Sequence, residues 1–347
     1  MKNLLVTGGA GFIGTNFVYY WLNKYPEDHL VVLDALTYAG NRENLAQAEK
    51  NPKFEFIHGN ILDQDLVDSL MVTRKIDTIV HFAAESHVDR SITGPDEFIN
   101  TNIVGTHALL KAAKKIWIDD TLQNHRFHHI STDEVYGTLK PLDPPFTETT
   151  PYTPNSPYAA SKAASDHLVR AYHKTYGLEV TISNCSNNYG PYQFPEKLIP
   201  LMITNILNGK TIPVYGDGRQ IRDWLYVDDH NLGVDLILEK GNPGETYNIG
   251  GNNEWANLDI VNLVCELIHT QFSKNKDLVK KYPDCPSSCG SHPKTLITHV
   301  TDRAGHDRRY AINADKISST LGYLPEESFE TGIRKTAAWF LGKHDLP

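Results

Sequence analysis

Short apolar runs alternate with amphipathic stretches along the first half of the chain. The apolar runs have the length of strands, whereas the stretches between them repeat apolar residues every three or four positions, as helices do. The pattern predicts strands over 2–7, 30–33, 54–58, 78–82, 127–131 and 179–184. It predicts helices that follow the first strand and cover 65–70, 100–115 and 158–176. Elements that alternate in this way form a parallel sheet covered by helices on both faces.

The pattern changes after residue 184. Turn-forming residues interrupt 187–200 and 213–227, one more strand is predicted over 246–249, and helices are predicted over 229–239, 259–271, 314–321 and 329–341. We therefore predict two domains. The first covers 1–186 and is completed by about 229–250, and a smaller, mixed α/β C-terminal domain covers 187–228 and 251–347.

A glycine-rich turn, Gly-Gly-Ala-Gly-Phe-Ile-Gly, follows the first strand at residues 8–14. Gly8, Gly11 and Gly14 allow a tight turn with close backbone approach, and the helix N-terminus behind them offers N–H groups to a pyrophosphate. Asp34 ends the second strand about 20 residues later, where a carboxylate accepts hydrogen bonds from ribose hydroxyls and repels a 2′-phosphate. These features predict an α/β fold with a Rossmann-type doubly wound parallel sheet that binds NAD rather than NADP. The second domain is then the substrate domain.

Composition narrows the classes of function. The 347 residues carry 33 basic and 42 acidic side chains, a net charge of −9, which argues against a nucleic-acid surface. No apolar run approaches the ~20 residues that a membrane helix needs, and the N-terminus lacks the layout of a signal peptide. Four cysteines are too few for a disulfide framework in a chain of this length. We expect a cytoplasmic protein with no membrane partner.

Candidate chemistry lies where the fifth strand ends, at Ser-Thr-Asp-Glu-Val-Tyr-Gly (131–137). Asp133 and Glu134 are two potential proton carriers at the strand edge where open α/β sheets bind ligands. After a Pro-rich loop, Tyr158 and Lys162 stand four residues apart and so share one face of a helix. A nearby ammonium favours the phenolate, so we expect Lys162 to lower the pKa of Tyr158 and make it a base for a substrate hydroxyl.

The motifs together resemble the extended short-chain dehydrogenase/reductase superfamily of nucleotide-sugar enzymes, and within it the dTDP-glucose 4,6-dehydratases. Those that carry the resemblance are GGAGFIG (8–14), HFAAESHVDRS (81–91), STDEVYG (131–137), YAASK (158–162), CSNNYGP (185–191), PEKLIP (195–200), RDWLYV (222–227) and DRAGHD (302–307). They cover nearly the whole chain in the family's order.

The resemblance implies a reaction and roles for five residues. The implied reaction converts dTDP-glucose to dTDP-4-keto-6-deoxyglucose and water, by oxidation at C4, elimination across C5 and C6, and return of hydride from NADH to C6. Tyr158 would be the base at the C4 hydroxyl, Thr132 would orient that oxygen, and Lys162 would also hold the nicotinamide ribose. Glu134 would remove the C5 proton and Asp133 would protonate the departing C6 hydroxyl.

The resemblance also implies two binding sets. The implied cofactor set is Gly8, Gly11, Phe12, Ile13, Gly14, Asp34, Ala35, Leu36, Thr37, Asn60, Ile61, Phe82, Ala83, Ala84, Glu85, Ser86, Thr101, Tyr158, Lys162 and Asn188. The implied substrate set is Ser86, Thr132, Asn187, Lys197, Leu198, Pro213, Val214, Tyr215, Arg222, Asn257, Asp302, Arg303, Ala304, Gly305 and His306. Asn60 replaces a usual Asp, so we expect NAD binding with an altered affinity; Asn184 and Ala304 also depart from the family's common Arg and Pro.

Three other readings of the function stay open at this point. A nucleotide-sugar 4-epimerase would share Thr132, Tyr158 and Lys162, but epimerases usually carry small or neutral residues in place of the Asp133–Glu134 pair. A dehydratase acting on another nucleoside diphosphate sugar, such as a uridine nucleotide, is the second alternative. A non-catalytic NAD-sensing protein is the third, and the complete set of catalytic residues argues against it.

Two further features concern assembly and metal binding. In the resembling family, helices equivalent to 100–115 and 158–176 form a four-helix bundle between two subunits, so we expect a homodimer. The stretch 273–299 is longer than usual and carries Cys285, Cys289 and His292. Zinc structural sites want four ligands, so we expect a surface insertion rather than a metal clip, and no metal.

Overall fold

The computed structural model describes residues 1–120, 124–302 and 307–342. Within these ranges the strands are β1 (Asn3–Thr7), β2 (His29–Asp34), β3 (Phe54–His58), β4 (Thr78–His81), β5 (Arg126–Thr132), β6 (Val180–Cys185), β7 (Asn187–Tyr189), β8 (Ile212–Tyr215), β9 (Ile221–Tyr226), β10 (Thr246–Ile249), β11 (Glu254–Ala256) and β12 (Ile297–Val300). The α-helices are α1 (Phe12–Lys24), α2 (Gln64–Thr73), α3 (Val88–Thr93), α4 (Asp96–Phe98), α5 (Thr106–Ala113), α6 (Pro157–Tyr176), α7 (Leu198–Leu207), α8 (Val227–Lys240), α9 (Asn257–Lys274), α10 (Lys276–Lys281), α11 (Asp315–Leu321) and α12 (Phe329–Phe340).

The large sheet has seven strands in the order β10-β6-β5-β4-β1-β2-β3, and all of its pairs are parallel. Successive side chains of β1 point to opposite faces of the sheet, as the two-residue repeat of a strand requires. Leu4 and Val6 pack with residues of α1, α8 and α11, whereas Leu5 packs with residues of α2, α5 and α6. The predicted Rossmann-type doubly wound sheet is confirmed.

The second lobe has its own core. Apolar residues of α7, α9 and α12 pack together with Tyr189, Trp224 and Tyr226 from the small sheet β11-β9-β7. A separate pair, β8 and β12, lies beside them. The segments 187–200 and 213–227, which were predicted as turns, therefore contain β7, most of β8, β9 and the start of α7. The apolar pattern did not predict β9, because this strand contains the buried charged residues Arg222 and Asp223, which are 5% and 1% exposed.

Two parts of the C-terminal half differ from the predicted boundaries. Residues 273–299 are not a surface insertion, because Leu278 and Cys285 are buried in the second core and β12 pairs with β8. Residues predicted for the substrate domain return to the sheet: Ala314, Ile317 and Leu321 pack in the same cluster as Leu4 and Val6.

Local sequence explains the helix that carries the candidate chemistry. Ser156 caps α6 by accepting a hydrogen bond from the Ala159 N–H at 3.1 Å, and Pro157 occupies the first turn, where its missing N–H is not needed. Gly177 ends α6 in the left-handed region, at φ 73°. The helix predicted over 100–115 is part of a longer one, in which Ile99–Gly105 and Lys114–Asp119 form π-helical turns around α5. Among the described residues, no helix is long and apolar enough to span a membrane.

Candidate active site

A cleft of about 490 Å³ lies between the carboxyl ends of the sheet strands and the second lobe. That position is where open α/β folds bind ligands, and the volume is in the usual range for ligand sites. The turn at Gly8–Gly14 lies on one side of the cleft and Arg222 on the other, with Asp133, Glu134 and Tyr158 also in its lining. The fold thus brings most of the predicted cofactor, catalytic and substrate residues to one cavity.

A few of the predicted residues are absent from the lining. Leu36 packs beside the sheet core, and only its backbone contributes, by donating its N–H to Asp34 Oδ1 at 2.8 Å. Val214 is buried at 3% exposure because neighbouring residues of a strand face opposite ways, which leaves Pro213 and Tyr215 toward the cleft. Asp302 does not line the cleft and accepts a hydrogen bond from Gln220 at 3.0 Å. Arg303, Ala304, Gly305 and His306 lie outside the described residues.

Several lining residues were not predicted. The most informative are Tyr38, His87, Phe194, Glu196 and Trp224. Within the lining, His87 Nε2 lies 3.5 Å from Glu196 Oε2, and the neighbouring Lys197 donates to the Ser86 carbonyl at 2.9 Å. Four of the five belong to, or adjoin, a motif singled out in the sequence, and Tyr38 follows the predicted cofactor residue Thr37. Only their spatial neighbours, which sequence does not reveal, mark them as part of the site.

The glycine-rich turn fits a dinucleotide. Gly8 has φ 72°, and a Cβ there would lie 2.6 Å from the Ala83 nitrogen. No side chain caps the N-terminus of α1, so its first N–H groups point toward the cleft without a side-chain acceptor. A Cβ on Gly11 would meet only the Gly8 carbonyl oxygen at 3.3 Å. The turn therefore offers an open backbone surface of the kind that a pyrophosphate binds.

Gly14→Ala is expected to destabilise the fold and to weaken NAD binding together. A Cβ at this position would lie 2.3 Å from the Gly8 carbonyl oxygen, so the turn and α1 must separate. We expect the free energy of unfolding to fall by about 1–3 kcal/mol, measured by urea denaturation. Gly94→Ala is the matched control, because a Cβ there meets only the Arg90 carbonyl oxygen at 3.9 Å. Equal stability of the two variants would contradict the prediction.

Asp34 and Asn60 are fixed by the backbone and keep acceptor capacity. Asp34 Oδ2 accepts the Ala10 N–H and Oδ1 accepts the Leu36 N–H, both at 2.8 Å. Each carboxylate oxygen retains a further lone pair for a ribose hydroxyl. Asn60 Oδ1 accepts the Leu62 N–H at 2.9 Å, so the carbonyl that would serve an adenine amino group is already shared. The residues present fit NAD, and the shared carbonyl is consistent with the altered affinity that we expect.

The acidic pair lies on a short 3₁₀ turn, Asp133–Tyr136, directly after β5. Thr132 begins the turn, and its Oγ1 accepts the Glu134 N–H at 3.3 Å. Asp133 is 2% exposed, and its Oδ2 has no hydrogen-bond partner among the described residues. Burial raises the pKa of Asp133 well above its ordinary value, and the charges of Glu134 and Asp223 add to this. The environment therefore favours the protonated form of Asp133, beside the partly buried Glu134.

Tyr158 and Lys162 both line the cleft, but their electrostatics differ from the prediction. Burial raises the pKa of the Tyr158 phenol well above its ordinary value, the charge of Glu134 adds to this, and a hydrogen bond with Thr132 opposes it. The Lys162 ammonium donates to the Ile130 carbonyl at 2.7 Å. The expected net lowering of the Tyr158 pKa is therefore wrong in this structure, because burial and the neighbouring Glu134 charge raise it.

Arg222 is held in place on the opposite side of the cleft. Its guanidinium donates to the Ile221 carbonyl at 2.8 Å and to the Asp307 carbonyl at 2.9 Å, and it stacks over the Tyr310 ring at 4.2 Å. These contacts fix a planar cation next to the cleft. No group of three metal-ligating side chains occurs among the described residues, and His292 instead pairs with Glu266 at 3.1 Å.

Comparisons with known proteins show the family of the chain. The sequence profile of the family described as GDP-mannose 4,6 dehydratase matches residues 5–336. A dTDP-glucose 4,6-dehydratase of Escherichia coli is 51% identical over 353 residues, which covers 99% of this chain and 94% of that protein.

Solved structures give the same assignment. The dTDP-glucose 4,6-dehydratase of Bacillus anthracis, crystallised with NAD, has a TM-score of 0.84 and 44% identity, covering 98% of this chain and 96% of that one. The Streptomyces venezuelae enzyme, with NAD and TYD bound, has a TM-score of 0.85 and 46% identity, covering 98% and 97%. The chain therefore belongs to the GDP-mannose 4,6-dehydratase family of the extended short-chain dehydrogenases/reductases, together with these dTDP-glucose 4,6-dehydratases.

Proposed function

We propose that this protein is an NAD-dependent hydro-lyase that converts dTDP-glucose to dTDP-4-keto-6-deoxyglucose and water. The observation that carries the proposal is the Asp133–Glu134 pair in the cleft, beside Tyr158 and Thr132. Oxidation at C4 needs only a hydroxyl base and a hydride acceptor. Elimination needs two more groups, one to take the C5 proton and one to protonate the leaving C6 hydroxyl, and this pair supplies both.

The two carboxyls suit divided roles. Asp133 is buried and its pKa is raised, which favours the protonated form that can give its proton to the C6 hydroxyl. Glu134 is less buried and lies next to it, so it serves as the base at C5. Ionisation of one carboxyl disfavours ionisation of its neighbour, which keeps one proton on the pair. Tyr158 would take the proton of the C4 hydroxyl, a role that requires positive charge in the occupied cleft to offset the burial that raises its pKa. Thr132, hydrogen-bonded to Tyr158, would orient that oxygen.

The cofactor would be held by the turn from Gly8 to Gly14, by Asp34 and by Lys162. NAD, when bound, supplies the hydride acceptor for oxidation at C4 and the donor that completes reduction at C6. On the substrate side, Arg222 would bind the diphosphate, while Asn187, Lys197 and Asn257 line the same part of the cleft.

Product mass tests the proposed reaction. Purified protein incubated with dTDP-glucose is expected to give a nucleotide sugar lighter by one water, detected by mass spectrometry. A product of unchanged mass would instead identify a 4-epimerase. The same measurement with UDP- and GDP-sugars separates the dTDP assignment from a dehydratase of another nucleotide sugar.

We infer a homodimer as the working assembly. The helix through Ile99–Gly105 and α5 lies beside α6, and Ile99 on it is 44% exposed. In a dimer, a second copy of the two helices would complete a four-helix bundle and cover this apolar residue.

Sedimentation is expected to give particles of about twice 39.0 kDa. Ile99→Glu should shift the population toward the monomer, because it places a charge in the inferred contact. Leu142→Glu, at a position 97% exposed on the Pro-rich loop, is the control and should leave the dimer intact. A wild-type profile with only 39.0 kDa particles would overturn the inference.

A further inference from the structure

A stripe of polar residues runs along α6 behind the cleft. Tyr158, Lys162, Asp166 and Arg170 follow one another at intervals of four residues and so share one face of the helix. The first two line the cleft, whereas Asp166 is fully buried and is not part of the lining. The reaction proposed above uses Tyr158 and Lys162 and assigns nothing to the buried carboxylate.

Asp166 joins three parts of the catalytic scaffold. Its Oδ2 accepts hydrogen bonds from the hydroxyls of Ser131 and Tyr152, both at 2.9 Å. Ser131 directly precedes Thr132, and Tyr152 belongs to the loop that leads into α6. Its Oδ1 lies 3.2 Å from His129 Nε2, and the same nitrogen lies 3.5 Å from the Lys162 ammonium. A single imidazole therefore separates the buried anion from the buried cation.

The negative charge of Asp166 affects the protonation of Lys162. The lysine is 4% exposed, and burial lowers its pKa to about 8, while the nearby Asp166 charge acts against that decrease. The groups that face this region are His129 and Ser131 from β5, His81 from β4, Cys185 from β6, Tyr152 from the loop and Arg170 from α6. His81 and His129 have pKa values held well below the ordinary value by burial, so both are neutral. Burial also raises the pKa of Asp166, but the positive charges of Lys162 and Arg170 and the hydrogen bonds from Ser131 and Tyr152 oppose this increase and favour the carboxylate. Of the residues named here, Asp166 is the main source of negative charge beside Lys162.

We propose that Asp166 is a positioning residue that keeps Lys162 protonated and fixes the end of β5, acting from behind the site without touching substrate or cofactor. The proposal extends the dehydration reaction and rests on it where activity is concerned. The charge of Lys162 can be measured independently of that reaction. A partner that raises the pKa of a lysine favours the charged form at low pH, and this contribution is lost as the pH rises through the lysine pKa.

Asp166→Asn is the direct test, because it keeps the shape and removes the charge. Competitive labelling of amines with acetic anhydride over a pH series, read by mass spectrometry of the Lys162 peptide, gives the pKa of Lys162 in the full-length protein without substrate. We expect this pKa to fall by about one unit or more. The alkaline limb of the kcat profile with dTDP-glucose should move to lower pH by the same amount, with little change in KM.

Asp235→Asn is the matched control for loss of a buried carboxylate. Asp235 is also fully buried but pairs with Lys24, Tyr20 and Tyr25 on the far side of α1, so the Lys162 pKa should not move. A folded Asp166→Asn protein with an unchanged labelling pKa for Lys162 would overturn the proposal. If that variant does not fold, Asp166→Glu replaces it; this change retains the charge, so a labelling pKa close to wild type is expected and a clear fall would overturn the proposal. If the protein dehydrated no nucleotide sugar, the prediction for kcat would fail, but the labelling test of the Lys162 pKa would still stand.

Discussion

Glu134→Gln is expected to lower kcat for dehydration by about 10²–10⁴-fold, because the variant keeps the shape of the side chain but loses the base for the C5 proton. Thr132 and Tyr158 are unchanged, so oxidation at C4 should still occur. Enzyme mixed with dTDP-glucose should then accumulate reduced nicotinamide, visible by its absorbance, instead of turning over. The hydrogen at C5 should not exchange with solvent deuterium.

Glu239→Gln is the control for this substitution. Glu239 is exposed on α8 and pairs only weakly with Lys240, at 3.9 Å, so its loss should leave kcat unchanged. If Glu134→Gln retained more than about a tenth of wild-type activity, the general-base role would be wrong, since such groups contribute at least 10²-fold.

Asp133→Asn is expected to lower kcat by a comparable factor of about 10²–10³, but at a later step. Glu134 still removes the C5 proton, so exchange of this hydrogen with solvent deuterium should continue while loss of water is slowed. The two variants thus separate proton removal from departure of the hydroxyl. Equal loss of exchange in both variants would contradict the division of roles between the two carboxyls.

The stability of Asp133→Asn should depend on pH in a defined direction. Burial raises the pKa of Asp133 in the folded protein, so the folded state favours the protonated carboxyl. The stability that this proton preference provides is present at low pH and is lost as the pH rises through the folded pKa. The Asn side chain cannot ionise, so the variant does not lose this stability. The melting temperature of Asp133→Asn minus that of the wild type should therefore increase with pH. Thermal denaturation across a pH series measures this difference, and a constant difference would contradict the raised pKa.

The sequence predicted the large sheet well because most of its strands are buried on both faces and therefore appear as apolar runs, while the edge strand β3 keeps an apolar pattern although it is only partly buried. The strands over 54–58 and 246–249 have the predicted bounds. It failed in the second lobe for a physical reason. β9 carries buried charges whose partners are distant in sequence: Asp223 accepts the Asn253 N–H at 2.6 Å and the Gly251 N–H at 3.1 Å.

The lining of the cleft was predicted better than its electrostatics. Motif spacing and family resemblance named most residues of the cleft, including Tyr158 and Lys162. Whether a side chain such as Val214 faces the core or the cleft depends on its three-dimensional neighbours. The direction of the Tyr158 pKa shift depends on them as well. The same is true of Asp166, whose partners are set by the packing of α6 against β5.

The return of residues 314–323 to the large sheet has a consequence for engineering. Ala314, Ile317 and Tyr323 complete a core that begins with Leu4. The two lobes are therefore interleaved along the chain, and a single cut cannot yield two independent folding units. A fragment that ends near residue 250 would leave that face of the sheet uncovered. A chimera that takes its sugar-nucleotide specificity from another enzyme would need several splice junctions, and it would need to keep α11 with the cofactor-binding half.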